Sequence, residues 1–197
     1  MKVTFEKYNP VWKEQFESIK KELEKSIGFL HPEIEHIGST SVEGLSAKPI
    51  IDIMIGVKNE TELDHIPLLL QGQDCIYYEK YNEEMPYRRF FIKLKDKPLS
   101  LDFPEIIHSG DEIPKELHNH ELRIAHIHTI LTSSEHWLRH IAFRDYLRSH
   151  SKVKEEYQQL KEKLSQMEWI DGNDYNDGKD PFIKREEQNA LKWYSKK

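Results

Sequence analysis

Apolar side chains recur at steps of three and four residues near the start of the chain, in NPVWKEQFESIKKELEKSI. This spacing predicts an amphipathic helix, with Asn9 as its N-cap and Pro10 at its first position. The buried face of that helix is expected to consist of Trp12, Phe16, Ile19, Leu23 and Ile27.

A second pattern, rich in β-branched and aromatic residues, predicts strands. The segments that carry it are EIEHIG, KPIIDIMIGV, CIYYEKY, YRRFFIKLK and LRIAHIHTIL. KPIIDIMIGV is almost wholly apolar, as expected of a strand that is covered on both faces of its sheet.

Further helical segments alternate with these strands, namely NETELDHIPLLLQG, TSSEHWLRHIAFRDYLRSH and KVKEEYQQLKEKLSQM. Thr132 and Glu135 have the spacing of a capping box before the second of them. The polar segment DGNDYNDGKDPF is expected to be a turn cluster, followed by a last helix. Interleaved strands and helices without repeats or a linker predict one α/β (α+β) domain over residues 1–197, with a mixed sheet flanked by helices.

Composition narrows the class of protein. Hydrophobic residues make up 37% of the chain and charged residues 32%, and the net charge of -6 argues against non-specific nucleic acid binding. Cys75 is the only cysteine, which excludes an intrachain disulfide and fits a reducing compartment. The sequence has neither an apolar signal core at its start nor a run of about 18 apolar residues. We therefore expect a cytoplasmic protein with no membrane partner.

Asp52 is the lone acid in the apolar segment PIIDIMI. A buried carboxylate is costly unless it is paired or binds a metal ion. Gly38 and Ser39 follow the preceding strand directly, and Thr40 comes next. A glycine there permits a tight turn whose N–H and hydroxyl groups can hold phosphate oxygens. A phosphate-binding turn beside a strand-borne acid is the arrangement of a metal–nucleotide site, and an ordinary strand turn is the alternative.

The segments IEHIGSTSVEGLSAKPIIDI and HIHTILTSSEHWLRHIAFRDYLRSH, with YNPVW and YRRFFIK, resemble the GrpB family over most of the chain. The resemblance implies a nucleotidyltransferase-superfamily fold. It also implies that Asp52 is the catalytic residue and a metal ligand, and that Gly38, Ser39 and Thr40 bind nucleotide. That superfamily places a second acid two residues after the first, but residue 54 is Met. Two-metal chemistry needs several carboxylates around ions about 3.5–4 Å apart, so one acid does not suffice.

Histidines offer a replacement for the absent acid. His126 and His128 are two residues apart, so they share one face of a strand. With Asp52 they would form a two-histidine, one-carboxylate set for a divalent ion such as Mg²⁺, Mn²⁺ or Zn²⁺, the last two being the better match. Hydrogen-bonded strand histidines are the alternative. Asp102 is a further candidate acid, whereas we expect His120 in a loop.

Two basic residues, Arg88 and Lys48, are candidates for phosphate binding. Arg88 and Arg89 are adjacent in the predicted strand YRRFFIKLK, so only one of them can face a pocket, and the planar guanidinium of an arginine suits a phosphate group. Lys48 stands at the entrance of the Asp52 strand, where it would either neutralise phosphate or lie at the surface.

Three functions follow, and the sequence leaves open whether the protein is an enzyme. The first is metal-assisted transfer of a nucleotidyl group from a nucleoside triphosphate to a small-molecule or protein hydroxyl. The second is a non-catalytic nucleotide-binding or regulatory module with a protein partner, and the third is a metal-dependent hydrolase that uses the His126–His128 pair. Met54 favours the second and third functions, whereas the Gly-Ser turn favours the first and second.

Overall fold

Six strands form one mixed sheet in the computed structural model, which describes residues 4–96, 101–170 and 172–197. In chain order the strands are β1 (Glu33–Ile37), β2 (Ile51–Val57), β3 (Cys75–Tyr78), β4 (Arg88–Leu94), β5 (Ile106–Ile107) and β6 (Arg123–Leu131). Their order across the sheet is β1-β2-β6-β4-β3-β5. The neighbours β2 and β6 run parallel, as do β3 and β5, and the other pairs are antiparallel.

Five α-helices accompany the sheet in the described part of the chain. They are α1 (Val11–Ile27), α2 (Glu60–Leu69), α3 (Glu135–Ser149), α4 (Ser151–Ser165) and α5 (Gly172–Tyr194). None of them is long and apolar enough to cross a membrane. The mixed α/β architecture predicted from the sequence is confirmed.

Alternation along β2 divides the core between the two faces of the sheet. Ile51, Ile53 and Ile55 point to one face, where they pack in a cluster with residues of α1 and α2. Met54 points to the other face and packs beneath α3, in a cluster with Ile37, Ile130, Trp137 and Ile141. Asp52 shares the face of Met54, because residues two apart on a strand point the same way.

Three details of the sequence prediction are corrected. Helix α1 begins at Val11 with Pro10 as its N-cap, and Asn9 Oδ1 accepts from the Val11 N–H at 3.0 Å. The N-cap of α3 is Ser134, whose side chain accepts from the Trp137 N–H, so Thr132 does not supply the cap.

The expected turn cluster at 171–182 is instead helical from Gly172 onward. Tyr175 and Phe182 are buried there, Phe182 in a cluster with Leu147 of α3 and Tyr157 of α4. Packing of these aromatic side chains against other helices outweighs the local preference of the Asp, Asn and Gly residues for turns.

Candidate functional site

The register of β2 and β6 brings Asp52 and the histidine pair together. Asp52 lies opposite His126, and Met54 lies opposite His128. Strand β4 flanks β6 on its other side, with Phe90 opposite His128. The three predicted polar residues therefore lie on one face of neighbouring strands.

Two hydrogen bonds define which ring nitrogen of His126 carries the proton. Its Nε2 lies 3.1 Å from Nη1 of Arg123, which can only donate, so Nε2 accepts. Its Nδ1 lies 3.3 Å from Oδ1 of Asp52 and therefore carries the proton that is donated to the carboxylate. Burial raises the pKa of Asp52, but the hydrogen bond from His126 and the attraction of the nearby histidines in their protonated forms outweigh burial, so that the net pKa is lowered. Asp52 is thus ionised near neutral pH.

Two other histidines also accept from cations. His128 Nδ1 lies 3.4 Å from Arg88 Nη1, and His120 Nδ1 lies 3.3 Å from Lys48 Nζ. Burial, with the charge of Arg88, lowers the pKa of His128 to about 3. Burial, with the charge of Lys48, likewise lowers the pKa of His120 to about 3. Both imidazoles are therefore neutral at pH 7 and accept hydrogen bonds from basic side chains.

The turn after β1 lies in close contact with Asp52. Gly38 has φ +70°, and a Cβ built on it would lie 2.9 Å from the Asp52 Cβ and would overlap the carboxylate. Only glycine provides both the left-handed backbone and the close approach. The Thr40 hydroxyl is already bonded to His36 Nε2 at 3.0 Å, whereas Ser39 Oγ lies 3.4 Å from Lys161 Nζ.

Two lysines reach the site from the C-terminal helices. Lys161 of α4 is 2% exposed, and its ammonium donates to the Ser46 carbonyl and lies 4.9 Å from the centre of the Tyr157 ring. Lys179 of α5 lies with its ammonium 4.4 Å from the centre of the Tyr175 ring. Burial, then the charge of Lys179, lowers the pKa of Lys161 to about 7. Burial, then the charge of Lys48, lowers the pKa of Lys179 to about 8.

These side chains line one open cavity of about 550 Å³, which we call the basic cavity. Among the residues that the structure describes, five basic side chains contribute to it: Lys48, Arg88, Arg123, Lys161 and Lys179. The carboxylates in its lining are Asp52 and the exposed Glu84. The balance of charge therefore favours an anion.

Several donors in this lining have no hydrogen-bond partner among the described residues. They are Nε of Arg88, Nε of Arg123 and the hydroxyl of Tyr175. Tyr175 is only 3% exposed. Buried donors without partners are costly, and an anion with several oxygens would satisfy them.

The same contacts do not suit a resident metal ion. A metal takes the lone pair of a neutral imidazole nitrogen, but Arg123 donates to the lone pair of His126 and Arg88 donates to that of His128. In the described part of the chain, no three His, Cys, Asp or Glu side chains form a metal-binding group. The metal ligands and the divalent cofactor stay a prediction from the resemblance.

Met54 occupies the position at which the resemblance expects a second acid. It is 1% exposed and packs with Trp137 and Ile141 of α3. The position belongs to the core, so a carboxylate there would be buried without a partner.

Seven of the predicted site residues line the basic cavity, namely Ser39, Thr40, Lys48, Asp52, Arg88, His126 and His128. Gly38 shapes the cavity through its contact with Asp52. Asp102 is exposed at φ +59° and is not part of the lining.

Sequence reasoning missed other members of the site. They are His120, Arg123, Tyr157, Lys161, Tyr175 and Lys179. Lys161 did give a signal, because it falls four residues after Tyr157 on the face of α4 that also buries Leu164. A lysine at an apolar position of a helix indicates a buried charge.

The fold and the site define a mixed α/β protein with a basic cavity on two parallel central strands and the turn that precedes them. Comparison with known proteins agrees with the sequence resemblance. The chain belongs to the GrpB family, whose model, described as GrpB protein, matches residues 2–189.

Individual relatives show the extent of the similarity. The chain is 31% identical over 186 residues to UPF0157 protein YqkA of Bacillus subtilis, covering 94% of this chain but only 46% of YqkA. It is 29% identical over 172 residues to Glutamate-rich protein GrpB of Alkalihalophilus pseudofirmus, covering 87% of this chain and 86% of the relative. A crystal structure of conserved protein GrpB from Enterococcus faecalis is 30% identical and has a TM-score of 0.74, covering 97% and 99% of the two chains.

Proposed function

We propose that the protein binds a nucleotide and holds its phosphate groups in the basic cavity. The observation that carries this proposal is that, in the described part of the chain, five basic side chains converge on one cavity whose only partly buried carboxylate is Asp52. Arginine suits phosphate oxygens because its guanidinium donates two parallel hydrogen bonds. The unpartnered Nε atoms of Arg88 and Arg123 supply further donors for the same purpose.

Nucleotide binding of this kind does not require a metal ion, because the protein itself supplies the positive charge. Arg123 and Arg88 remain charged at any physiological pH, and each is oriented by a neutral histidine. Lys161 is fixed beside the Ser39 hydroxyl, so the turn and the ammonium form one wall.

The proposal is tested by isothermal titration of the intact chain with ATP and with inorganic triphosphate in EDTA. Lys179→Met removes a charge from the basic cavity, whereas Lys184→Met removes an exposed lysine of the same helix as a matched control. We expect Lys179→Met to weaken both ligands about tenfold, as the loss of one charge-assisted contact would, and Lys184→Met to change neither. Equal affinities for the two variants, or no binding by the native chain, would contradict the proposal.

Nucleotidyl transfer is a second candidate, favoured by the position of Asp52 against the Gly38 turn. In such a transfer an acceptor hydroxyl oxygen bonds to the α-phosphorus of the triphosphate, pyrophosphate leaves, and the hydroxyl proton passes to solvent or a base. The test is incubation of the chain with each nucleoside triphosphate and Mg²⁺ or Mn²⁺, with its own hydroxyls as acceptors. Pyrophosphate release and a gain of one nucleotidyl mass, both abolished in Asp52→Asn, would support transfer. Their absence in the native chain would leave binding as the favoured function.

A further inference from the structure

A second cavity adjoins the basic cavity. It has a volume of about 380 Å³ and lies between the Gly38 turn, α3 and α5, and we call it the helical cavity. The residues that line both cavities are Ser39, Asp52, His128, Tyr157 and Lys179. The two cavities therefore meet at a shared wall, with Asp52 at the boundary.

The lining of the helical cavity differs from that of the basic cavity. The apolar part of its wall comes from Ile37, Val42, Phe143, Leu147 and Ile183, and the charged Arg144 of α3 also lines it. A cavity of this size and apolar character falls in the range of small-molecule sites, about 300–1,000 Å³. The two adjoining cavities therefore differ in chemical character.

Polar groups of α3 and α5 also line the helical cavity. Arg139 Nη1 lies 3.4 Å from Glu187 Oε2, while Arg139 Nε has no partner among the described residues. His140 is also part of the lining, and its Nδ1 is bonded to the His136 carbonyl at 2.7 Å. A flat heterocycle with donors and acceptors on its edge suits apolar walls with a few such polar groups.

We propose that the helical cavity binds the nucleobase of the nucleotide whose phosphates lie in the basic cavity. This inference rests on the proposed function and specifies its ligand as a nucleoside phosphate rather than a simple polyphosphate. The ribose then passes Asp52 at the shared wall, where an ionised carboxylate accepts hydrogen bonds from sugar hydroxyls. Asp52 thereby has a role that needs no metal ion.

The experiment compares ligands with and without a base. Isothermal titrations in EDTA use inorganic triphosphate and each of ATP, GTP, CTP and UTP. Ile183→Trp fills the helical cavity, and Ile170→Trp is the matched control at a residue that is 88% exposed. Unchanged affinity for inorganic triphosphate shows that the Ile183→Trp variant is folded and keeps its basic cavity.

We expect at least one nucleoside triphosphate to bind the native chain about tenfold more tightly than inorganic triphosphate, and Ile183→Trp to remove that advantage while Ile170→Trp keeps it. If all ligands bind equally, or if Ile183→Trp leaves the advantage intact, the nucleobase assignment is wrong although the proposed function stands. If Ile183→Trp lowers the affinity for inorganic triphosphate as well, Phe143→Ala is used as the test variant in its place. That variant enlarges the cavity, and it must weaken only the nucleoside triphosphate for the assignment to hold. If neither kind of ligand binds the native chain, the proposed function itself fails.

Discussion

His126 donates its Nδ1–H to Asp52 from the opposing position of a parallel strand, across 3.3 Å. The other nitrogen of the same ring accepts from Arg123. One imidazole thus connects a guanidinium to a carboxylate through two hydrogen bonds. The lone acid of PIIDIMI is stabilised by the protein itself, which answers the cost of placing a carboxylate in an apolar strand.

Removing the charge of Asp52 should strengthen the binding of a simple anion. Asp52→Asn deletes a negative charge from the basic cavity, so we expect affinity for inorganic triphosphate in EDTA to rise about five- to tenfold. Asp64→Asn, at an exposed position of α2, is the control and should have no effect. If affinity falls instead, the Asp52 carboxylate helps to hold the triphosphate, and the proposal that the site binds a simple anion through its basic side chains is wrong.

Met54→Asp should destabilise the protein strongly. Met54 is 1% exposed beneath α3, so the new carboxylate would be buried without a partner, at a cost of about 3–5 kcal/mol. Urea unfolding measures the loss, and Met167→Asp, at a residue that is 46% exposed, should cost far less. Rescue of Met54→Asp by Mn²⁺ with ATP would instead indicate a metal site of the nucleotidyltransferase type.

Substitution of Gly38 should destabilise the protein by more than the backbone conformation of this residue alone explains. Gly38→Ala places a methyl group at φ +70° and against the Asp52 carboxylate, whereas Gly72→Ala places one at φ +75° with nothing within 4 Å. The strain of an alanine in the left-handed region should lower the free energy of unfolding of the Gly72→Ala control by about 1–2 kcal/mol. Gly38→Ala should lower it by more than that. Similar urea midpoints for the two variants would show that the turn can move away from Asp52.

The stability of the ligand-free protein should depend on pH through Lys161. Folding lowers the pKa of Lys161 from 10.5 to about 7, so between these values the unfolded chain binds more protons than the folded chain. Stability conferred by the neutral amine is complete above pH 10.5 and is lost as the pH falls toward 7. Relative to Lys161→Met, the free energy of unfolding of the native chain should therefore rise by up to about 1.4 kcal/mol for each unit of pH increase within this window.

Urea unfolding of both proteins from pH 6 to pH 10 checks this slope. Lys152→Met, at an exposed lysine of the same helix, is the control and should run parallel to the native chain. If the stability of the native chain and that of Lys161→Met depend on pH in the same way, the ammonium of Lys161 is well solvated and the prediction is wrong.

The strand part of the site was predicted from two sources: a period of two places His126 and His128 on one face of their strand, and the family resemblance implies that the Asp52 strand lies beside it. Asp52 was grouped with His126 and His128 on the basis of the superfamily resemblance, and the pairing of β2 with β6 confirms that the two strands are neighbours. Met54 was recognised as the departure from the expected acid pair, but only its packing under Trp137 shows that it belongs to the core.

The helical part of the site did not follow from the sequence. Lys179 lies in a segment whose Asp, Asn and Gly residues predicted a turn, and only burial of Tyr175 and Phe182 against other helices makes it helical. His120 was expected to be an unrelated loop residue, yet it accepts from Lys48 at 3.3 Å. Periodicity reports local structure, and it carries no information about which distant loop or helix covers a strand.

The basic cavity draws its walls from residues as far apart in the chain as Ser39 and Lys179. A growing polypeptide on the ribosome therefore has no complete pocket until residue 179 has been synthesised and its helix has docked. Forming contacts of such long sequence separation costs loop-closure entropy and slows folding. Ligand cannot guide the early steps, but it can stabilise the finished molecule by mass action, so ligand binding would report completed folding rather than assist it.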